Sequence, residues 1–198
     1  MEFSVAHVTL KSFSPYSQSR QHEEPTLKGE GKGDYDKRTW LAKAHITEKG
    51  TLGIPASSLT QAIAEAAKYS KRQIPGQGKA TWTAKFKSGI MLTESLIDTG
   101  IKKEDIGFVD VMCDAQGKTG SAVSSRVPRR FPQVPAWTAS FDAYILDPII
   151  TPEVFAEMVG IAGMFIGIGR WRPVMNGGMN GRFTLADMKW EDNRKFAA

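Results

Sequence analysis

Residues 160–183, GIAGMFIGIGRWRPVMNGGMNGRF, hold seven of the chain's 19 glycines and no acidic residue. Arg170, Arg172 and Arg182 stand among them. Glycine lets a backbone approach a ligand closely and adopt positive φ. The amides of such a loop can then point at phosphate oxygens, which arginine also grips in bidentate fashion. Gly169, Gly177 and Gly178 are the glycines assigned to that role, and Trp171 can stack on a base. No Gly-Lys-Ser/Thr follows, so the loop is not a nucleotide-binding P-loop. Gly160 and Gly163 read instead as packing glycines, and Asn176-Gly177 can also be a plain turn.

Charge is segregated along the chain. Residues 66–93 carry Lys68, Lys71, Arg72, Lys79, Lys85 and Lys87 without an acid. Residues 115–141 carry Lys118, Arg126, Arg129 and Arg130, again without one. Trp82, Phe86, Phe131 and Trp137 are interleaved with these cations, a pattern suited to a nucleic-acid backbone. The same expectation extends to Arg20 and Arg38. The whole chain, with 26 Lys+Arg against 21 Asp+Glu, has a formal charge of +5, which favours polyanionic partners.

Catalytic groups are sparse. His7, His22 and His45 are scattered, His7 reading as a core or edge residue of a strand, and no metal-ligand spacing occurs. Cys113, the single cysteine, cannot form an intramolecular disulfide and reads as a packed thiol. Asp34 and Asp36 could act as an acid–base pair or serve as solvated loop charges. No catalytic residue, metal or cofactor is assigned. The start of the chain lacks the features of a signal peptide, and its longest apolar stretch, 154–168, is broken by Glu157 and glycines. A spanning helix needs about 20 apolar residues, so a cytoplasmic protein without a membrane partner is expected.

The elements that must position these residues follow from periodicity. Residues 3–10 read as a first strand and 40–46 as a short one. Residues 14–39, rich in charge and glycine, read as a mobile excursion with too few apolar groups to order it. Leu59, Ile63, Ala66 and Ala67 mark a helix from about Pro55 to Tyr69, with Ser57 or Ser58 as its cap. Residues 80–92 alternate, Trp82, Ala84 and Phe86 against Thr83, Lys85 and Lys87, predicting a half-buried strand. Residues 108–112 and 136–146 read as strands, 117–130 as a flexible basic tip between them. Thr151-Pro152-Glu153 opens a second helix with Val154, Phe155, Met158, Val159 and Ala162 inward. A last strand covers 183–190. The order fits an α+β fold, a ferredoxin-like, RRM-like antiparallel sheet with two helices, in one domain over residues 1–198.

Two motifs resemble one family. Residues 53–59, GIPASSL, are similar to the Ile-Pro-Gly-Ser-Ser-Leu segment that opens the first helix of RAMP-superfamily proteins. Residues 167–183, GIGRWRPVMNGGMNGRF, resemble their glycine-rich loop before the final strand. The pattern is most like the backbone subunits of CRISPR effector complexes or a stand-alone, virus-encoded relative. The resemblance implies an RRM-like fold with a thumb, at 14–39 or 117–130. It further implies sequence-independent binding of single-stranded nucleic acid, guide RNA before DNA, in antiviral defence. Self-association into a helical or filamentous oligomer, beside other effector subunits, is implied as well. Ala56 replaces the usual glycine and Thr60-Gln61 the usual basic residue and glycine, which removes one basic contact. Two other readings belong to the same pattern: an RNA-cutting relative using an aspartate of the excursion, and a structural viral assembly protein.

Overall fold

The computed structural model describes residues 2–114, 126–175 and 177–195. In chain order the elements are β1 (Glu2–Ser12), β2 (Tyr16–Ser17), α1 (Lys32–Thr39), β3 (Thr51–Pro55), α2 (Ala56–Ser70) and α3 (Thr83–Ser88). There follow β4 (Ile90–Leu92), β5 (Leu96–Lys102), β6 (Gly107–Asp114), β7 (Arg126–Val134), β8 (Thr138–Ile145), α4 (Pro152–Ile161) and β9 (Phe183–Lys195). The largest sheet has the order β4-β8-β1-β9, with every neighbouring pair antiparallel. With α2 between β1 and β4, and α4 between β8 and β9, this is the expected ferredoxin-like layout. Two smaller sheets, β2-β7-β6 and β3-β5, flank it.

Period decides which side is buried. Ala6, Val8 and Leu10 of β1 face the helices, whereas His7 and Thr9 face outward beside Asp142 and Ser140 of β8. Helix α2 buries Leu59, Ala62, Ile63, Ala66 and Ala67; α4 buries Val154, Phe155, Met158 and Val159. Each large apolar side chain so enclosed contributes about 1.5–3 kcal/mol. Thr151 caps α4 as expected, its hydroxyl accepting from the Val154 amide, and Pro152 opens the helix. No side chain caps α2, so the role given to Ser57 or Ser58 is corrected: Pro55 holds that position.

Two further expectations change. Within residues 80–92 the chain forms a helix, α3, followed by the three-residue β4. Trp82 and Phe86, both 2% exposed, are four residues apart, which suits a helix face as well as a strand. Residues 40–43 form a 3₁₀ turn instead of a strand. Residues 14–39 are tied to the core at both ends. Tyr16, Ser17 and Gln18 are buried, β2 pairs with β7, and α1 buries Asp36 and Thr39. The stretch between them is pinned to α1: Tyr35 donates to the Glu24 carbonyl and Arg38 to the Pro25 carbonyl and Glu30. Polar side chains supply the order that apolar ones lack. Of the basic tip at 117–130, residues 117–125 lie outside the described residues. Residues 126–130 belong to β7, paired with β6 in the register Asp110↔Arg130.

Candidate nucleic-acid interface

Past α4 the chain widens into a π turn, Ala162–Ile166, and breaks at Gly167, where φ is +69°. The glycine-rich loop then folds on its own backbone. Ile168 donates to the Gly181 carbonyl at 3.0 Å and Asn180 to the Trp171 carbonyl at 3.0 Å. Arg170 donates its amide to the Ser17 carbonyl at 2.8 Å and Gly181 to Pro15 at 2.7 Å. A Cβ on Gly178 would run into the Trp171 carbonyl, and one on Gly169 into the Ser17 carbonyl. The Gly178 amide itself donates to Met175. Several glycines therefore serve backbone-on-backbone contact, and many of the loop's amides are occupied inside it. What the loop offers a ligand is mainly side chains. Gly163 is a packing glycine as expected, set against Phe183, but nothing lies within 4 Å of a Cβ on Gly160.

One side of this loop walls a groove of about 670 Å³, with α2 and α3 forming the other wall. Helix α2 contributes Ser58, Gln61, Glu65 and Lys68, one turn apart along its exposed side. Helix α3 contributes Thr83 and Lys87, and the loop contributes Gly167, Gly169, Arg172 and Met175. Among the described residues, Lys87 and Arg172 form no ion pair; Arg172 donates to the Gly169 carbonyl at 3.3 Å. Lys68 lies 3.8 Å from Glu65, an exposed and therefore weak pair. Of the groove's lining, Glu65 is the single acid.

The other side of the loop meets α1 and β7. Asp36, fully buried, accepts from Lys43 Nζ at 2.7 Å and is ion-paired with Arg129 Nε. Lys43 also donates to the Arg130 carbonyl at 2.8 Å and lies 4.4 Å from the centre of the Phe131 ring. Burial lowers the Lys43 pKa, opposed by its bond to Asp36. Arg170 stacks on the same ring, its guanidinium carbon 3.6 Å from the centre. Asp36 as a solvent-facing acid or base is thus corrected, because its oxygens are enclosed by cations. Asp34 remains exposed, 3.8 Å from Lys37.

The remaining expected contacts are dispersed. Arg38 braces Glu30, whose carboxyl is held down to about 2 mainly by that bond. Arg72 pairs with Glu157, Lys85 with Asp147 at 3.0 Å, and Arg130 with Asp110 at 2.7 Å. Arg182 donates to the Met164 carbonyl at 3.1 Å. Arg20 is exposed on a separate groove beside His22 and Glu24. Gly177, at φ +64°, sits in an exposed turn. Lys68, Lys87, Gly169 and Arg172 are the expected residues brought together. Gln61 and Ser58 were not among the expected contacts, since a polar residue on an amphipathic helix carries no signal of its own. Lys43 had one: a lysine between Ala42 and Ala44 in an otherwise apolar run.

The outer face of the large sheet is chemically different. His7, on central strand β1, contacts Asp142 at 2.7 Å and Glu191 at 3.4 Å. The hydrogen bond to Asp142 raises its pKa, whereas burial and Arg20 lower that of His45. His7 is thus neither a core nor an edge residue. Asp187, Lys11 and Lys189 also face outward there, and Arg194 pairs with Glu191, so this surface carries charges of both signs.

No protein-family model matches the chain, and no curated protein matches it. Among solved structures, the chain is similar to one from the type III-B Cmr-beta bound to cognate target RNA. The TM-score is 0.50 at 12% identity, over 96% of this chain and 61% of that one. It is also similar to Cmr6 from Pyrococcus furiosus, with TM-score 0.48 at 12% identity, covering 92% and 98% of the two chains. The present chain thus spans about three-fifths of the Cmr-beta chain. The likeness to Cmr-beta is one of fold: an α+β chain built on an antiparallel, ferredoxin-like sheet, as the element order predicts. No helix among the described residues is long and apolar enough to cross a membrane.

Proposed function

We propose that the chain binds single-stranded nucleic acid, RNA before DNA, in the groove between α2, α3 and the glycine-rich loop. It does so without regard to base sequence, as a repeating subunit set side by side along the strand among other effector subunits. The observation that carries this reading is the convergence of Lys68, Lys87 and Arg172 on one open groove from three separate elements. Exposed cations with weak ion pairs or none attract phosphates and release their counterions, a term that ignores sequence. The similar fold in Cmr-beta was determined with cognate target RNA, which supports RNA as the ligand.

Binding without cleavage is proposed too. Phosphodiester cleavage needs an acid, base or metal within reach of the reacting atoms. Glu65 is the groove's single acid, and Asp36 is enclosed. Fluorescence anisotropy of a labelled single strand across a salt series tests the reading. Lys87→Ala with Arg172→Ala should weaken binding and flatten the salt slope by about one to two units. An unchanged slope in the folded double variant rejects the groove. With Mg²⁺ the strand should stay intact; regular fragments abolished by Asp34→Ala would make the protein a ribonuclease instead.

A further inference from the structure

Two aromatic side chains stand exposed where α2 meets the turn after α4. Tyr69 is 56% and Phe165 52% exposed, and their rings stack with centres 5.5 Å apart at 19°. The π turn is what carries Phe165 outward. Residue 165 comes seven after buried Met158, so a regular α-helix would return it to within about 20° of the buried face. The widened turn, closed by the Gly167 amide on the Ala162 carbonyl at 2.8 Å, buries Ile166 in its place. Such turns inside helices are frequent at functional sites. Tyr69 follows Glu65 by one helical turn, on the stripe of α2 that lines the groove. Lys68 and Ile166, the chain neighbours of the two rings, line opposite walls of that groove. The pair therefore borders one end of it. Trp171, the ring assigned to stacking from the sequence, is engaged by Phe131 and Arg170 instead.

We propose that Tyr69 and Phe165 form a stacking platform for one nucleobase of the strand in the groove, selecting single strands over duplexes. This rests on the strand-binding reading and adds a base contact to its phosphate contacts. Each ring of an offset pair covers one face of the other and leaves its own outer face to solvent. Every base carries a π face that can lie there, and no base edge is read, so the contact tolerates any sequence. In a duplex the internal bases are already stacked, and a base must be unstacked before it can reach the rings. The surroundings fit a strand better than a protein partner. Lys68 and Lys71 flank Tyr69, and residues 66–93 hold no acid. Two rings with the neighbouring Met164 fall far short of the roughly 800 Å² that a stable protein interface buries on each side.

Fluorescence anisotropy of the full chain tests it with three probes. They are a mixed-sequence RNA strand, a strand of equal length lacking every base, and the duplex of the first with its complement. The wild type should prefer the RNA strand to the other two by about tenfold. Tyr69→Leu with Phe165→Leu keeps apolar volume but removes the ring faces. This ring variant should bind the RNA strand about tenfold more weakly, with the baseless strand and the salt slope unchanged. Phe165→Trp should retain wild-type affinity. No preference in the wild type, no loss in the ring variant, or equal loss on both strands overturns the platform. So does a ring variant altered only in oligomeric state, since the rings then join copies of the chain. The groove fails separately: Lys87→Ala with Arg172→Ala then binds like the wild type, while the ring variant still loses its base contact. A wild type that binds no strand overturns both. Should the ring variant not fold, light-induced crosslinking of the wild type to an iodouridine-containing strand decides it. An adduct on Tyr69 or Phe165 supports the platform; adducts confined to other residues overturn it.

Discussion

On the α1 side of the glycine-rich loop Asp36 is enclosed by Lys43 and Arg129, whereas on the α2 side Lys87 and Arg172 face an open groove. The same residue types do different work because their surroundings differ. In the enclosed cluster weak screening strengthens each charge interaction, so the cluster fixes where α1, β7 and the loop sit relative to one another. In the groove water screens each charge, and little stability depends on it. One side positions the loop, and the other leaves its cations available for exchange with a ligand.

The largest effect expected is from Asp36→Asn, which leaves the buried cations without their carboxylate. Removing one partner of a buried pair costs about 3–5 kcal/mol, read from urea unfolding, while Lys87→Ala should stay within about 0.5 kcal/mol. Equal losses in the two variants would break the comparison. Two glycines sharpen it at smaller scale. Gly178→Ala pushes a methyl into the Trp171 carbonyl and should destabilise by about 1–3 kcal/mol. Gly160→Ala, with open space around it on helix α4, should stabilise by about 0.5–1 kcal/mol.

The smallest effect is expected on the outer sheet face, where exposed charges meet in pairs. His7 has a raised pKa, so its ion pairing is fully present below the ordinary value of about 6.5. It is lost as pH rises through the folded value. Solvent screening limits this contribution to about 0.5 kcal/mol. An NMR titration of the His7 ring should give a pKa above 6.5 that falls in Asp142→Asn. Unchanged titration would remove Asp142 as the cause.

Elements with strong local periodicity were legible in the sequence. Strands β1, β8 and β9 and helices α2 and α4 show it within their own residues, and Thr151-Pro152 marks its helix start. Strands β2, β3 and β5 were not legible. β2 and β3 are short, and each of the three has its partner far along the chain, as Gly53 does from Asp98. Helix α3 was misread because Trp82 and Phe86 satisfy both periods, and with it the pairing of Lys85 and Lys87 on one face was lost. Of the candidate groove's lining, Lys68, Lys87, Gly169 and Arg172 stood out in the sequence by charge or as part of the glycine-rich run. The burial of Asp36 was not legible, because it depends on Arg129, 93 residues away. Asp36 stands in one of the most polar stretches of the chain, where local composition argues for solvent.

The position of β1 between β8 and β9 has a consequence during synthesis. Its residues must wait for partners at 138–145 on one side and 183–195 on the other. At roughly 5–20 residues per second, about 10–40 s separate translation of β1 from that of β9. Throughout that interval Val5, Val8 and Leu10 belong to a strand with an open edge, a template for unwanted pairing with other nascent chains. The small sheet of β3 and β5 with helix α2 can form earlier from nearer contacts and offer an apolar surface on which β1 can rest. Ribosomes paused before residue 183 should therefore hold a protease-sensitive chain that becomes resistant when synthesis of β9 is allowed to finish.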